Sequence, residues 1–368
     1  MGIGRGRQLL PVRSRELAGY RRLRKLVLHI GAPKAASTSI QAFLGRNAAR
    51  LRTQGILVLD HRLAPAARDG RAILGADIET EETLADAGSS GEQKIERIAA
   101  RYLAAVDRAI AGIDCHTIVI SAENLARLVP DRTLVISAFA RLKARFDLHI
   151  VFYVRRPDYW LESAWKQWAI KVTRQPPAEW AMSLADQGLP DFLGTARDWS
   201  AMAGPDHFVI RLLDPAALWG VAVLQDFAVI IGAEDLDLAI AHENPMLHPA
   251  LLRFFQRHGD LLFSDAHDSR LFDWAERFWL YAPAGGRLLS EPVRQKLLAA
   301  LADRNRVFLT EFFPDLAPRL MADWCPAVTG EPRPEPESPP RARSPRLLAT
   351  VERTAARALA AALKLTRR

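Results

Sequence analysis

From residue 26 to about 232, short apolar runs alternate with longer stretches whose apolar residues recur every three or four positions. The runs "KLVLHI" (25–30), "GILVL" (55–59), "HTIVIS" (116–121), "LHIVFYV" (148–154) and "HFVIRL" (207–212) predict strands. They are too short for buried helices and rich in branched residues. Helical spacing predicts helices over 38–51, 92–111, 132–145, 157–171 and 190–202. Strands that are apolar throughout bury both faces, so strand–helix alternation predicts an α/β fold: a three-layer parallel sheet flanked by helices. The polar stretch 60–91 predicts a mobile crossover or lid.

Downstream the pattern changes. Between 246 and 325 helical spacing dominates, as in "PALLRFFQRHGDLLF" and "PVRQKLLAALADRNRVFL". With no composition break before it, this predicts a helical extension (246–327) of one domain spanning 24–327. Six prolines between 332 and 345 predict an extended, disordered linker over 328–345. In 346–368, Leu348, Val351, Ala355, Leu359, Ala362 and Leu363 share one helical face with arginines elsewhere, which predicts a basic amphipathic helix. Peripheral membrane contact and docking on a partner both suit such a tail.

Charge then narrows the function classes. The chain of 368 residues carries +8. The basic N-terminal tail 1–23 together with the next two residues holds +7 and residues 346–368 hold +5, leaving −4 over 26–345. A mildly acidic body is no nucleic-acid groove, so no nucleic-acid partner is expected. Cys115 and Cys325 are too few for a disulfide framework, no apolar stretch reaches a membrane span, and the N-terminus lacks a signal-like core. These features predict a cytoplasmic protein, with peripheral contact at the inner membrane face if the tail binds lipid.

Candidate chemistry begins at "HIGAPKAASTSIQ" (29–41), between a predicted strand and a predicted helix. Such a junction offers backbone N–H groups and a positive dipole end to an anion. The triphosphate form of this loop is G-x-x-x-x-G-K-[ST]. Here Gly31 opens the frame and Thr38 closes it, but Ala36 and Ser37 replace Gly and Lys, and the lysine is Lys34. A second anion cradle is expected in "IVFYVRRPDYWLESAWKQWAIK" (150–171). Arg155 ends a strand there, Pro157 suits a first helical turn, and Ser163 lies about two turns on. An arginine fork with a hydroxyl can hold a phosphate. Two cradles on one sheet edge suggest a ligand with two separated phosphate-like groups, such as a nucleoside 3′,5′-bisphosphate derivative.

With these residues in view, the chain resembles sulfotransferases that use 3′-phosphoadenosine 5′-phosphosulfate, particularly their bacterial branch. The resemblance covers roughly 24–260 and is carried by His29-Ile30-Gly31 with Lys34, by Ser121 with Glu123, and by Tyr153 to Pro157 followed by Ser163. It implies a P-loop-like fold in which Lys34, Ala35, Ala36, Ser37, Thr38 and Ser39 hold the 5′-phosphosulfate and Arg155 and Ser163 hold the 3′-phosphate. It implies no metal, and an acceptor bearing a hydroxyl or amine, such as a glycan, a lipid or another metabolite. Ala35-Ala36 stand where the family commonly has Thr-Gly, and the C-terminal "RKGxxGDW" element of the cytosolic small-molecule enzymes has no counterpart.

An acceptor hydroxyl needs a base. Glu123, just past a strand end, is the candidate, and the resemblance places a base there; its other reading is a cap for a helix starting near Asn124. His116 and His149 open their strands and belong to the other edge, whereas His29 is expected in the core. Lys166 and Lys171 are expected on a solvated helix face, and Arg211 in the cleft or in an ion pair. Asn244 stands where the family often has asparagine. Cys115 is expected as a small buried hydrophobe, and Trp160, Trp165 and Trp168 as core or substrate-facing rather than adenine platforms. Two rivals remain at this stage: a P-loop kinase or nucleotide hydrolase, and a non-enzymatic protein binding membranes or polyanions through its tails.

Overall fold

The structure, a computed structural model, describes residues 23–326 apart from 76, 127–131, 215–217, 219–220, 240–246, 266–267 and 278–286, together with 353, 354, 356, 357 and 359. Five strands pair entirely in parallel: β1 (Arg24–His29), β2 (Ile56–Leu59), β3 (Thr117–Ser121), β4 (Phe146–Arg155) and β5 (Phe208–Leu213). Their order is β2-β3-β1-β4-β5. Each strand lies within two residues of the apolar run that predicts it; the inner strands are buried along most of their length, so few polar positions blur their ends.

Helices α1 (Ser37–Thr53), α2 (Ile78–Ala85), α3 (Gly91–Ile110), α4 (Thr133–Ala140), α5 (Pro157–Ala164), α6 (Ile170–Val172), α7 (Pro177–Ala185), α8 (Phe192–Ala203) and α9 (Val221–Ile231) belong to the sheet domain. After them come α10 (Pro249–Leu262), α11 (Arg270–Arg277), α12 (Glu291–Ala300), α13 (Ala302–Phe312) and α14 (Ala317–Trp324). Alternation along β4 sorts them into layers. On one face Tyr153 donates its hydroxyl hydrogen to Asp226 of α9 at 2.6 Å, and α1 packs beside α9. On the other face Phe152 meets Phe192 of α8, and Tyr102, Phe139 and Trp199 join α3, α4 and α8 ring against ring. The result is three layers, helix–sheet–helix, with a continuous apolar core on both sides of the sheet.

Two expectations about local structure are corrected. Residues 60–91 lie in the crossover from β2 to β3, as expected, but include a helix that the polar composition did not predict. They carry α2, capped by the Asp77 side chain, and a bridge from Arg71 to Ser121. The segment lies close over α1 because Gly45 presents no side chain: a Cβ there would come within 2.2 Å of the Arg68 carbonyl oxygen. The helix expected over 157–171 is interrupted, as α5 passes into a π-helical turn, Trp165–Ala169, before α6. Such a turn holds one extra residue, which rotates everything after it around the axis.

Helices α10 and α11 bring a second apolar cluster, where Phe255, Leu252 and Leu271 pack on Trp165 and Ile170. Ala356 is buried in that cluster and Leu359 packs on it, while Arg353 and Arg357 are exposed. So the described part of the tail rests on the protein's own body. The basic tail 1–22, the linker 328–345, the rest of 346–368 and Asn244 lie outside the described residues. No helix among the described residues is long and apolar enough to cross a membrane.

Candidate functional site

Parallel pairing fixes which chain ends meet. His29, Ser121 and Val151 are level across β3, β1 and β4, so the segments after them emerge side by side. These segments are the Lys34 loop, the turn holding Glu123, and the end of β4 with Arg155. The loop begins by extending the sheet: Ile30 N–H donates to Val151 at 3.0 Å and Ala32 N–H to Tyr153 at 3.2 Å. It then turns sharply, with Gly31, Lys34 and Ala36 at φ of 41°, 68° and 64°. Lys34 and Ala36 thus hold the left-handed conformation that costs an L-residue roughly 1–2 kcal/mol. The strain is set by the turn that stands α1 on the edge of β1.

Helix α1 has no acidic residue in its first turn and no side-chain cap. Its first amides therefore face the loop without intrahelical partners, which favours an anion. The hydroxyls of the expected cradle diverge. Thr38 is exposed and Ser39 half-buried. Ser37 is buried and turns its hydroxyl back to the Ala32 carbonyl oxygen at 3.3 Å.

The charge of Lys34 interacts with groups from both candidate segments. Burial lowers its pKa; Glu123 opposes that, while Arg155, Lys166 and Lys171 deepen it. One ammonium therefore senses the residues expected for the base and the 3′-phosphate, together with two lysines of the following helical segment. Arg155 is likewise pushed down by burial, with Tyr159, Asp158 and Glu162 opposing and Arg294 adding to the push. Trp160 Nε1 donates to the Pro33 carbonyl oxygen at 2.6 Å, tying α5 to the loop. Ser163 lies half-buried on α5, on the same segment as Arg155.

Around Arg155 lies a group of residues that the sequence did not single out. Arg155, Arg156, Arg287 and Arg294 all stack on the Tyr159 ring, at 5.1, 4.7, 5.0 and 5.0 Å. Arg287 also donates to the Tyr159 hydroxyl at 2.9 Å. Asp158 takes a hydrogen bond from Arg156 at 2.7 Å and one from Arg294 at 2.6 Å, and Glu162 pairs with Arg294 and, at 2.8 Å, with Lys166. The cations of this edge, Lys34, Lys166 and Lys171 included, outnumber the carboxylates Asp158, Glu162 and Glu123. Asp158 and Glu162 stand four apart on α5, a readable hint of paired acids on one helix face. Arg294 is more than a hundred residues away in sequence, and nothing local announces it.

Other expectations resolve as follows. His29 is fully buried, with Nδ1 2.8 Å from the Ser121 hydroxyl, and burial drives its pKa down to about 3. Cys115 is buried, and Trp160 and Trp165 are core. Arg211 pairs with Asp226 at 3.0 Å, the ion-pair alternative. Lys171 corrects the solvated-face expectation: it is buried under the Phe272 ring at 5.2 Å, turned inward past the π-helical turn. Lys166 is half-buried in its pair with Glu162. Glu123 begins the short turn Glu123–Ala126. Comparison with models of known protein families and with curated proteins finds no match, so the functional argument rests on these residues.

Proposed function

We propose that this chain is a cytoplasmic sulfotransferase with a P-loop-like domain, moving a sulfuryl group from 3′-phosphoadenosine 5′-phosphosulfate to a hydroxyl or amine. The observation that carries the reading is the gathering of Lys34, Glu123 and Arg155 at the carboxyl ends of three adjacent parallel strands. Ligands of open α/β sheets collect at such an edge, where the strand order reverses about β1.

The residues suit an in-line displacement. The acceptor oxygen or nitrogen attacks sulfur while the bond from sulfur to the 5′-phosphate oxygen breaks. Glu123 takes the acceptor's proton, and the departing bisphosphate keeps the electron pair. Lys34 and the first amides of α1 neutralise the charge that develops on the 5′-phosphate. Arg155 and Ser163 hold the 3′-phosphate and fix the donor's orientation. A hydroxyl or an amine suits this site equally, since both lose a proton to the same carboxylate.

The deciding experiment is calorimetric titration with adenosine 3′,5′-bisphosphate, run with and without a chelator. Wild type should bind in both conditions, and Lys34→Ala and Arg155→Ala should each weaken binding at least tenfold. Absence of binding, or binding that needs a divalent ion, overturns the reading.

A further inference from the structure

The amino edge of the sheet, opposite the Lys34 loop, carries its own cluster of ligating groups. Asp147 and His149 are two apart on β4 and so share a face. His207 ends the short turn Pro205–His207 that leads into β5. The Asp147 carboxylate uses both oxygens: Oδ2 lies 3.1 Å from His149 Nε2 and Oδ1 lies 3.0 Å from His207 Nε2. The two imidazole rings are 4.6 Å apart, and all three ligating atoms fall within 4.8 Å of one another.

We propose that Asp147, His149 and His207 form a binding site for a divalent transition-metal ion of the zinc class, which clamps the start of β5 to β4. Imidazole nitrogens and a carboxylate oxygen are the donors such ions select. Around tetrahedral zinc, with bonds of about 2.0–2.2 Å, ligand atoms stand roughly 3.3 Å apart. The two nitrogen–oxygen separations are already near that spacing. All three groups are partly exposed, so an ion can reach them and a water can complete its coordination.

Without an ion, the two imidazoles hold the carboxylate through one hydrogen bond to each oxygen, which needs at most one charged ring; two charged rings 4.6 Å apart would set like charges in contact. Neutral imidazole is the form that ligates a metal. Lys25, level with Asp147 on β1, is the nearby cation that competes, and its ammonium is directed to the Ile230 carbonyl oxygen at 3.0 Å.

The test uses the untagged full chain, freed of metal by chelator and dialysed. Calorimetry with zinc chloride should give one strong site per chain, and the melting temperature should rise by several degrees, as expected when an ion binds only the folded state. Cobalt(II) should give the visible bands of a four-coordinate site. His149→Ala and His207→Gln should each weaken zinc binding at least tenfold. His207→Gln should keep the wild-type melting temperature in chelator, which separates loss of the site from loss of the fold. Absence of zinc binding, binding unchanged in both variants, or equal stabilisation by magnesium overturns the proposal.

Discussion

Trp160 donates its indole N–H to the Pro33 carbonyl oxygen at 2.6 Å, and through that bond the helix after Arg155 grips the loop that holds Lys34. The Trp160 ring is itself packed against Phe192 and Trp168, so the donor cannot swing away. Trp160→Phe should therefore cost about 1–3 kcal/mol, the penalty for an orphaned partner of a buried hydrogen bond. Urea unfolding measures that loss. Affinity for adenosine 3′,5′-bisphosphate should fall several-fold in the same variant; unchanged affinity would show that the loop keeps its shape without α5.

Arg294 is the buried keystone beside this pair. It bonds Asp158 and Glu162, both buried with it. Arg294→Met should cost about 3–5 kcal/mol, because two carboxylates are then left without their shared partner. Denaturant titration of the two proteins tests this, and a loss below about 1 kcal/mol would mean that the carboxylates find other partners.

Asp158 also gives the fold an acid limit. Burial raises its pKa, but the bonds from Arg156 and Arg294 outweigh burial, so the net shift is downward. A carboxylate with a depressed folded pKa binds protons more readily when unfolded, so its contribution is complete above the ordinary carboxylate range. It is lost as pH falls through the folded value. Melting temperatures recorded from neutral pH into that acid range should drop more steeply for wild type than for Asp158→Asn.

Lys34 has the opposite bearing on stability. Its pKa is lowered, chiefly by burial, so the folded protein bears a cost for its charge at neutral pH. That cost is complete below the folded pKa and disappears as pH rises toward the ordinary lysine value, because the unfolded chain then holds the proton more tightly. Lys34→Met should raise the melting temperature of the ligand-free protein at neutral pH while weakening bisphosphate binding. A melting temperature that falls instead would show that the ammonium is already well compensated without ligand.

Ala36 sits at φ 64° where glycine is favoured. Ala36→Gly should stabilise the protein by up to about 1 kcal/mol, the left-handed strain relieved less the extra freedom of the unfolded glycine. Thermal melts will show it. A lower melting temperature would mean that the Ala36 methyl contributes more through packing than its backbone loses.

The strands were legible because each is a closed apolar run, and the loop and the Arg155 segment were legible because each lies within one strand–turn–helix unit. The helix α2 was not, since its turn of polar residues gains its place from Asp77 and Tyr102 bonding across to α3. The inward turn of Lys171 was hidden as well, because helical spacing assumes an unbroken phase and the π-helical turn shifts it.

By itself the sequence determined the five strands, their parallel sense, and which residues stand at the carboxyl ends, since apolar periodicity and chain direction are local properties. Only the tertiary structure decided that Arg287 and Arg294 join Arg155 around Tyr159, and that His207 comes to Asp147 and His149. Those meetings depend on which distant segments pack together, and the free energy that selects them is spread over a whole buried core rather than written in any short stretch.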